Sequence, residues 1–175
     1  MLSRYSLPLL GFAAYSGIGK TTLLTKLLPL FKTRGLRIGV IKHAHHNFDI
    51  DYPGKDSYEL RKAGAVQMLV ASDQRWALMV ESEQPKEPCL DELLAHLDHS
   101  KLDLILVEGF KHEAFAKIEL HRSALGHPLL FPDDAAIVAI ATDSDLCCEA
   151  NITRLDINNE KAIFDFIIDY SGIRI

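Results

Sequence analysis

The sequence predicts an α/β fold of three layers, in which a mostly parallel sheet lies between helices on both faces and some strands are antiparallel. Residues 7–15 and 102–107 are apolar without alternation, which is typical of strands buried on both faces. Residues 20–34 form an amphipathic helical segment between such strands. With 175 residues, 48% of them hydrophobic and 25% charged, the chain suits one sizeable core, so we expect a single nucleotide-binding domain over residues 1–175.

Strands and helices alternate along the whole chain. The predicted strands cover residues 7–15, 37–42, 66–71, 76–81, 102–107, 117–121 and 135–141. The predicted helices cover residues 20–34, 56–64, 90–97 and 160–170. We expect strands 76–81 and 117–121 to be antiparallel to their neighbours, because their connections are too short for helical crossovers.

Charge, hydropathy and cysteine content exclude several classes of protein. The formal net charge is −5, from 19 Lys and Arg against 24 Asp and Glu, so a basic surface for nucleic acid is not expected. No apolar run has the length that crosses a bilayer, so we expect no membrane association. The three cysteines form no C-x-x-C pair, which indicates a reducing compartment rather than a disulfide framework or a cysteine zinc site.

A glycine-containing loop follows the first predicted strand and has the pattern of a phosphate-binding loop, with Ala14 where the first glycine often stands. Gly17 and Gly19 permit backbone angles that direct N–H groups at an anion, and Lys20 adds a cation. The loop opens a helix, whose N-terminus also favours anions. The fold is therefore expected to be P-loop NTPase-like. The residues predicted to hold the nucleotide phosphates are Ser16, Gly17, Ile18, Gly19, Lys20, Thr21 and Thr22.

Carboxylates at the same edge of the sheet are candidates for holding Mg²⁺ beside the Thr21 hydroxyl. Glu108 ends a buried strand, and we predict it as a metal-binding and catalytic residue, with a turn cap as the alternative. Asp49 and Asp51 follow the second strand. We predict Asp49 as a metal ligand and Asp51 as a catalytic residue that orients an attacking water.

Other polar residues have two interpretations each. Asp143 ends a strand and is a candidate acceptor for a purine amino group, or else a turn residue. A guanine-specific Asn/Thr-Lys-x-Asp tetrapeptide is absent, so the residues alone leave guanine and adenine open. Lys55 and Arg61 are either anion-binding or part of a solvated helix face. Transition-metal binding and simple solvation are both open for three clustered histidines, His43, His45 and His46.

Five segments carry a resemblance to a known family. They are the phosphate loop, Ile41-Lys42-His43, Asp51-Tyr52-Pro53-Gly54-Lys55-Asp56-Ser57, Arg61-Lys62-Ala63-Gly64-Ala65 and Val107-Glu108-Gly109-Phe110-Lys111. In this order they resemble the molybdopterin-guanine dinucleotide biosynthesis adaptor B (MobB) family over nearly the whole chain. The phosphate loop is shared with many nucleotide-binding proteins, whereas the Pro-Gly-Lys-Asp-Ser and Glu-Gly-Phe-Lys segments are much more specific.

The resemblance implies a cytoplasmic, homodimeric protein that binds GTP and Mg²⁺ and hydrolyses GTP weakly at most. It implies a partner, the molybdenum cofactor guanylyltransferase that joins GMP to molybdopterin, and it leaves molybdopterin itself as a candidate ligand. By position, the residues from Gly17 to Thr22 would hold phosphates and Mg²⁺, with Glu108 as the acid opposite.

Two other functions stay open from the residues. A small-molecule kinase would use the same loop, but kinases add cations such as lid arginines, and the arginines here are few and scattered. A metal chaperone would use the histidine-containing loop.

Overall fold

The computed structural model describes residues 7–44, 48–82, 84, 86–145 and 152–174. The strands are β1 (Leu9–Ala13), β2 (Ile38–Lys42), β3 (Gln67–Ala71), β4 (Trp76–Val80), β5 (Leu104–Glu108), β6 (Lys117–His121), β7 (Ile137–Thr142) and β8 (Thr153–Asp156). The helices are α1 (Lys20–Thr33), α2 (Asp56–Lys62), α3 (Leu90–Leu94) and α4 (Glu160–Ser171). The chain divides into two compact units, residues 1–43 with 89–175 and residues 44–88.

The first unit contains a six-stranded sheet of order β2-β5-β1-β6-β7-β8. Every neighbouring pair in it is parallel. All six strands therefore end at one edge, which is where ligands bind in open α/β sheets. β1 lies at the centre between β5 and β6, so the loop that follows β1 lies beside the end of β5.

Helices pack on both faces of this sheet, which confirms the predicted fold class. On one face α1 and α4 pack together, with the rings of Phe31 and Phe164 4.9 Å apart. Their apolar stripes join the inward side chains of β1, β5, β6 and β7 in one core. On the other face Leu90 and Leu94 of α3 pack with Ile105 and Val107 of β5 in a second cluster. Burial of these apolar surfaces is the main source of stability.

Strand β6 was predicted as antiparallel, and that prediction is wrong. β6 is parallel to both β1 and β7. The eight residues 109–116 carry the chain from β5 past β1 to β6 without a helix, so the connection is shorter than a helical crossover. Strand β8 was not predicted at all.

The second face of β6 carries three buried polar side chains. Lys117 is 1% exposed and bonds the Asp134 carboxylate at 2.8 Å. The two oxygens of Glu119 accept the backbone N–H groups of Leu130 and Phe131, both at 2.8 Å. Burial raises the pKa of Glu119, and these two N–H groups partly offset that effect. The third is His121, whose Nε2 lies 3.2 Å from the carbonyl oxygen of His127. These bonds hold the irregular crossover 122–136 against the sheet.

The second unit consists of α2 and a hairpin of β3 and β4. The two strands are antiparallel, as predicted for the strand at residues 76–81, with Leu69 opposite Leu78. Arg61 of α2 is buried and its guanidinium pairs with three carboxylates, Asp49 at 2.9 Å and also Asp51 and Glu81. Arg61 therefore does not belong to a solvated helix face.

Among the described residues, no helix is both long enough and apolar enough to cross a membrane. The role of residues 1–175 as one nucleotide-binding domain stays a prediction.

Candidate functional site

The loop between β1 and α1 has the backbone geometry of an anion-binding turn. Gly17 has φ +82° and Gly19 has φ +108°, in the left-handed region that favours glycine. A Cβ added at either residue would meet no atom within 4 Å, so backbone conformation rather than local crowding requires glycine there. Ile18 between them is buried in the core and anchors the loop. Ser16 is exposed at its tip.

The N-terminus of α1 is left open for an anion. Gly19 is the N-cap, and in the part of the chain that the structure describes no side chain caps it. The first turn, which contains Lys20, Thr21 and Thr22, has no acidic residue. The first N–H groups of a helix lack intrahelical partners, and the helix dipole makes this end positive. An anionic group bound at this end would accept hydrogen bonds from these N–H groups and would be attracted by the helix dipole.

Lys20 folds back over the loop. Its Nζ donates to the carbonyl oxygens of Ala14 at 3.0 Å and Tyr15 at 3.2 Å. Desolvation lowers the pKa of Lys20, the Glu108 carboxylate opposes that effect, and the positive charges of Lys42 and Lys111 lower the pKa further. Three lysines thus lie within electrostatic range of one loop, an arrangement suited to a polyanion.

Thr21 and Glu108 meet as the sequence predicts. The Thr21 hydroxyl donates to the Glu108 carboxylate, with oxygen distances of 3.0 and 3.2 Å. The Glu108 side chain is only 10% exposed, so its charge needs a nearby cation. Lys42 at the end of β2 supplies one at 3.2 Å. Hydroxyl and carboxylate oxygens are hard ligands of the kind that Mg²⁺ prefers, so this pair fits the metal that the sequence implies.

A strained turn fixes the position of Glu108. Gly109 has φ +102° and Phe110 has φ +53°, which is rare for a non-glycine residue. Phe110 is buried and stacks on the His43 ring at 4.7 Å between centroids. The His43 backbone N–H donates to the Glu108 carbonyl oxygen at 2.8 Å. The burial of Phe110 and this hydrogen bond offset the strain, which explains why Glu-Gly-Phe stands at this point.

A cleft of about 270 Å³ lies beside the loop and is lined by Gly19, Thr22, Arg122 and Asn158 among others. Arg122 Nε donates to the Ile18 carbonyl oxygen at 3.3 Å, and both its terminal nitrogens lie 3.3 Å from Asn158 Oδ1. The cleft therefore presents polar groups next to the first turn of α1.

Asp143, the predicted acceptor for a purine amino group, lies near this cleft and holds a neighbouring turn. Its Oδ1 accepts the Ser123 backbone N–H at 2.9 Å and the Ser123 hydroxyl at 3.1 Å. Its other oxygen pairs with Arg122 at 3.6 Å. These bonds lower its pKa, the Ser123 N–H having the largest effect. The base-binding role of Asp143 stays a prediction.

Asp49 and Asp51 lie in the second unit and are both engaged by Arg61. Hydrogen bonding by Arg61 lowers the pKa of Asp51. Their predicted roles, at a metal and at an attacking water, stay predictions. Of the three histidines, His45 and His46 lie outside the described residues. Within the described residues, no group of three or more His, Cys, Asp and Glu side chains is placed to hold a metal ion.

Sequence reasoning did not assign Lys42, Arg122 or Asn158 to the site. The sequence could have indicated Lys42, because this residue ends a parallel strand and therefore lies at the edge of the sheet where ligands bind. Arg122 follows β6, and the wrong prediction that β6 is antiparallel concealed the same indication there. Asn158 follows β8, a strand that the sequence did not reveal.

The loop after β1 has two left-handed glycines and leads into a helix whose described N-terminus has no side-chain cap. Its Thr21 bonds Glu108 at the edge of the parallel sheet, and together these features define a protein with the P-loop NTPase-like fold. Residues 9–143 match the family described as "MobB: Molybdopterin guanine dinucleotide synthesis protein B". The chain belongs to this family, as its sequence resemblance indicated.

Two relatives of high identity support this membership. The chain is 53% identical over 171 residues to the "Molybdopterin-guanine dinucleotide biosynthesis adapter protein" of Escherichia coli (strain K12), covering 97% of each chain. It is 48% identical over 162 residues to the protein of the same name from Haemophilus influenzae, covering 92% of this chain and 88% of the relative.

Solved structures share the fold. "The Crystal structure of Bacillus subtilis MobB" aligns with a TM-score of 0.74 at 19% identity, over 96% of this chain and 100% of the other. A "MobB protein homolog from Bacillus stearothermophilus" aligns with a TM-score of 0.67 at 23% identity, over 95% of this chain and 99% of the other. At these identities the likeness establishes the fold alone.

Proposed function

We propose that this protein is a GTP-binding adaptor that assists a molybdenum cofactor guanylyltransferase in joining GMP to molybdopterin in the cytoplasm. The geometry of the phosphate loop carries the proposal, because the loop, Lys20 and the Thr21–Glu108 pair converge on one anion site. The names of the two bacterial relatives supply the pathway. Hydrolysis of GTP by this chain is weak at most.

The loop from Gly17 to Thr22 would hold the phosphates through backbone N–H groups and the Lys20 ammonium. Thr21 and Glu108 would hold Mg²⁺, which when bound neutralises phosphate charge. The absence of acidic residues from the first turn of α1 supports this assignment, because a carboxylate there would repel the phosphates.

We place the base of the nucleotide in the cleft lined by Thr22, Arg122 and Asn158. This cleft adjoins the first turn of α1, so a nucleotide whose phosphates lie on the loop would extend its base there. The Asn158 amide nitrogen can donate to a base edge, while its Oδ1 accepts from Arg122. Asp143 is held beside Arg122, which lines the cleft, and we propose it as the acceptor for the purine amino group.

Calorimetry of GTP and ATP with Mg²⁺ tests the nucleotide. We expect GTP to bind more tightly than ATP, and Lys20→Ala to weaken both by at least about tenfold, as expected for loss of a charge-assisted bond. Lys32→Ala is a matched control, because Lys32 is an exposed lysine in the last turn of the same helix. Equal affinities for GTP and ATP would remove guanine from the proposal, and no binding of either would remove the nucleotide.

Reconstitution with a purified guanylyltransferase tests the adaptor role. We expect the wild-type protein and Lys32→Ala to increase the rate of dinucleotide formation from molybdopterin and GTP, and Lys20→Ala to increase it much less. Absence of any increase with the wild-type protein would contradict the adaptor role. Phosphorylation of a small acceptor at about 1–100 per second would instead establish a kinase.

We further propose that the protein is a homodimer through the hairpin of β3 and β4. One face of the hairpin exposes Leu69, Trp76, Leu78 and Val80, with Trp76 67% exposed. Contiguous exposed apolar surface of this kind marks interaction sites. We expect sedimentation to show a dimer for the wild type and a monomer for Trp76→Glu, with Trp76→Phe as the conservative control. A monomeric wild type would contradict the dimer.

A further inference from the structure

Lys42 occupies a specific position in the metal-binding half of the site. Its Nζ donates to Thr21 Oγ1 at 3.2 Å and lies 3.2 Å from Glu108 Oε1. The two residues it contacts are the pair that would hold Mg²⁺. Lys42 itself is 54% exposed, whereas the Glu108 side chain is 10% exposed. An exposed, flexible cation thus neutralises a buried anion.

The hydrogen bonds of Thr21 show that Lys42 occupies the position that a metal ion would take. A hydroxyl has one donor and two acceptor lone pairs. Thr21 uses its donor on Glu108 and accepts from Lys42 with one lone pair. A lysine ammonium and a divalent cation at this hydroxyl would be held by the same two oxygen atoms and the same carboxylate charge, and they would repel each other. Lys42 therefore competes with a metal ion for the site.

We propose that Lys42 is the cation of this site in the nucleotide-free protein, that it leaves when Mg²⁺ and nucleotide bind, and that it then contacts the terminal phosphate. This inference rests on the proposed nucleotide-binding function. Glu108 keeps a cationic partner in both states, which a buried carboxylate requires.

Movement of Lys42 from the carboxylate to a phosphate requires little rearrangement. The Cα lies at the end of a rigid parallel strand, and a flexible four-carbon chain carries the ammonium. The contact of Lys42 with Thr21, the residue that follows Lys20, places the Lys42 ammonium beside the same loop. Among the described residues, those that line the base cleft include Thr22 but neither Thr21 nor Lys42, so the contact with Thr21 favours the outer phosphates over the base as the new partner of Lys42.

Mn²⁺ binding measured by electron paramagnetic resonance without nucleotide tests the competition. We expect Lys42→Met to bind Mn²⁺ about tenfold more tightly than the wild type, because the competing charge-assisted bond is gone. Two control variants should bind Mn²⁺ as tightly as the wild type does. Lys42→Arg keeps the positive charge, and Lys32→Met removes an exposed charge elsewhere in the first unit. Unchanged Mn²⁺ affinity in Lys42→Met would overturn the proposal.

The ratio of GDP to GTP dissociation constants, measured with Mg²⁺, tests whether Lys42 contacts the terminal phosphate in the bound state. We expect Lys42→Met to reduce the preference for GTP by about tenfold and to leave GDP affinity nearly unchanged, because only GTP has the terminal phosphate. Lys42→Arg should keep most of the preference. An equal loss of GDP and GTP affinity would indicate a purely structural lysine and would overturn the proposal. Failure of the wild type to bind GTP would instead refute the proposed function itself, and the Mn²⁺ result would be unaffected.

Discussion

Gly109→Ala should destabilise the protein by about 2–5 kcal/mol, from two separate costs. Gly109 has φ +102°, and a Cβ in the left-handed region costs roughly 1–2 kcal/mol. The added Cβ would lie 2.7 Å from the Cβ of His43 and 3.5 Å from its Cα. Relief of this overlap requires the end of β2 to move, which adds roughly 1–3 kcal/mol as in an overpacked core.

Gly126→Ala is the matched control, because it places a Cβ at a positive φ without bringing that Cβ into contact with a neighbouring residue. Gly126 has φ +63°, and a Cβ added there would meet no atom within 4 Å. For a chain of this length, we expect thermal unfolding to give a Tm lower by roughly 5–15 °C for Gly109→Ala and by roughly 2–6 °C for Gly126→Ala. Equal decreases in the two variants would refute the close approach of Gly109 to His43.

Three further predictions follow from individual charges. Glu108→Gln should abolish the Mg²⁺-dependent tightening of GTP binding while preserving the fold, because the amide oxygen still accepts the Thr21 hydroxyl. Calorimetry of GTP binding with and without EDTA measures this dependence. An unchanged dependence on Mg²⁺ would exclude Glu108 as a ligand of the metal. Hydrogen bonding by Arg37 lowers the pKa of Asp103 to about 2, so Asp103 stabilises the protein above its ordinary pKa and loses that effect as the pH falls toward 2. The stability lost in Asp103→Asn, measured by urea unfolding, should be full at pH ~6 and should decrease steadily as the pH falls toward ~2, where half of the folded-state carboxyl groups are protonated. Lys117→Met should destabilise the protein by about 1–3 kcal/mol, because the half-buried Asp134 carboxylate loses its cation and the carbonyl oxygens of Lys111 and Glu113 lose a donor. A change near zero in urea unfolding would contradict the importance of this lysine.

The phosphate-loop half of the site was predictable because its signals are local. Strand, glycine turn and helix are adjacent in sequence, and Lys20 and Thr21 have fixed places within them. Glu108 was predictable from one topological rule, that buried parallel strands end at a common edge. Arg122 and Asn158 depend on contacts between distant segments, which neither periodicity nor motif spacing reveals.

The errors in the fold have physical causes as well. The connection before β6 is short and the connection after it is irregular, which favoured an antiparallel strand, yet the strand lies at the centre of a parallel sheet. Its alternating Lys117, Glu119 and His121 are buried against backbone and side-chain partners rather than solvated. β8 has four residues, Thr-Arg-Leu-Asp, and three of them are exposed, so it lacks the apolar signal of a strand. It is held by pairing with β7.

The polar side chains of β6 give the crossover 122–136 a mode of attachment different from that of the helices. Directional bonds from Glu119 to Leu130 and Phe131 hold this segment, whereas apolar burial holds α1 and α4. Directional bonds break individually, while an apolar core separates cooperatively. We therefore expect amide hydrogen exchange at Leu130 and Phe131 to occur through local opening, at rates well above those of the α1–α4 core, so that these two residues can detach from β6 while that core stays packed.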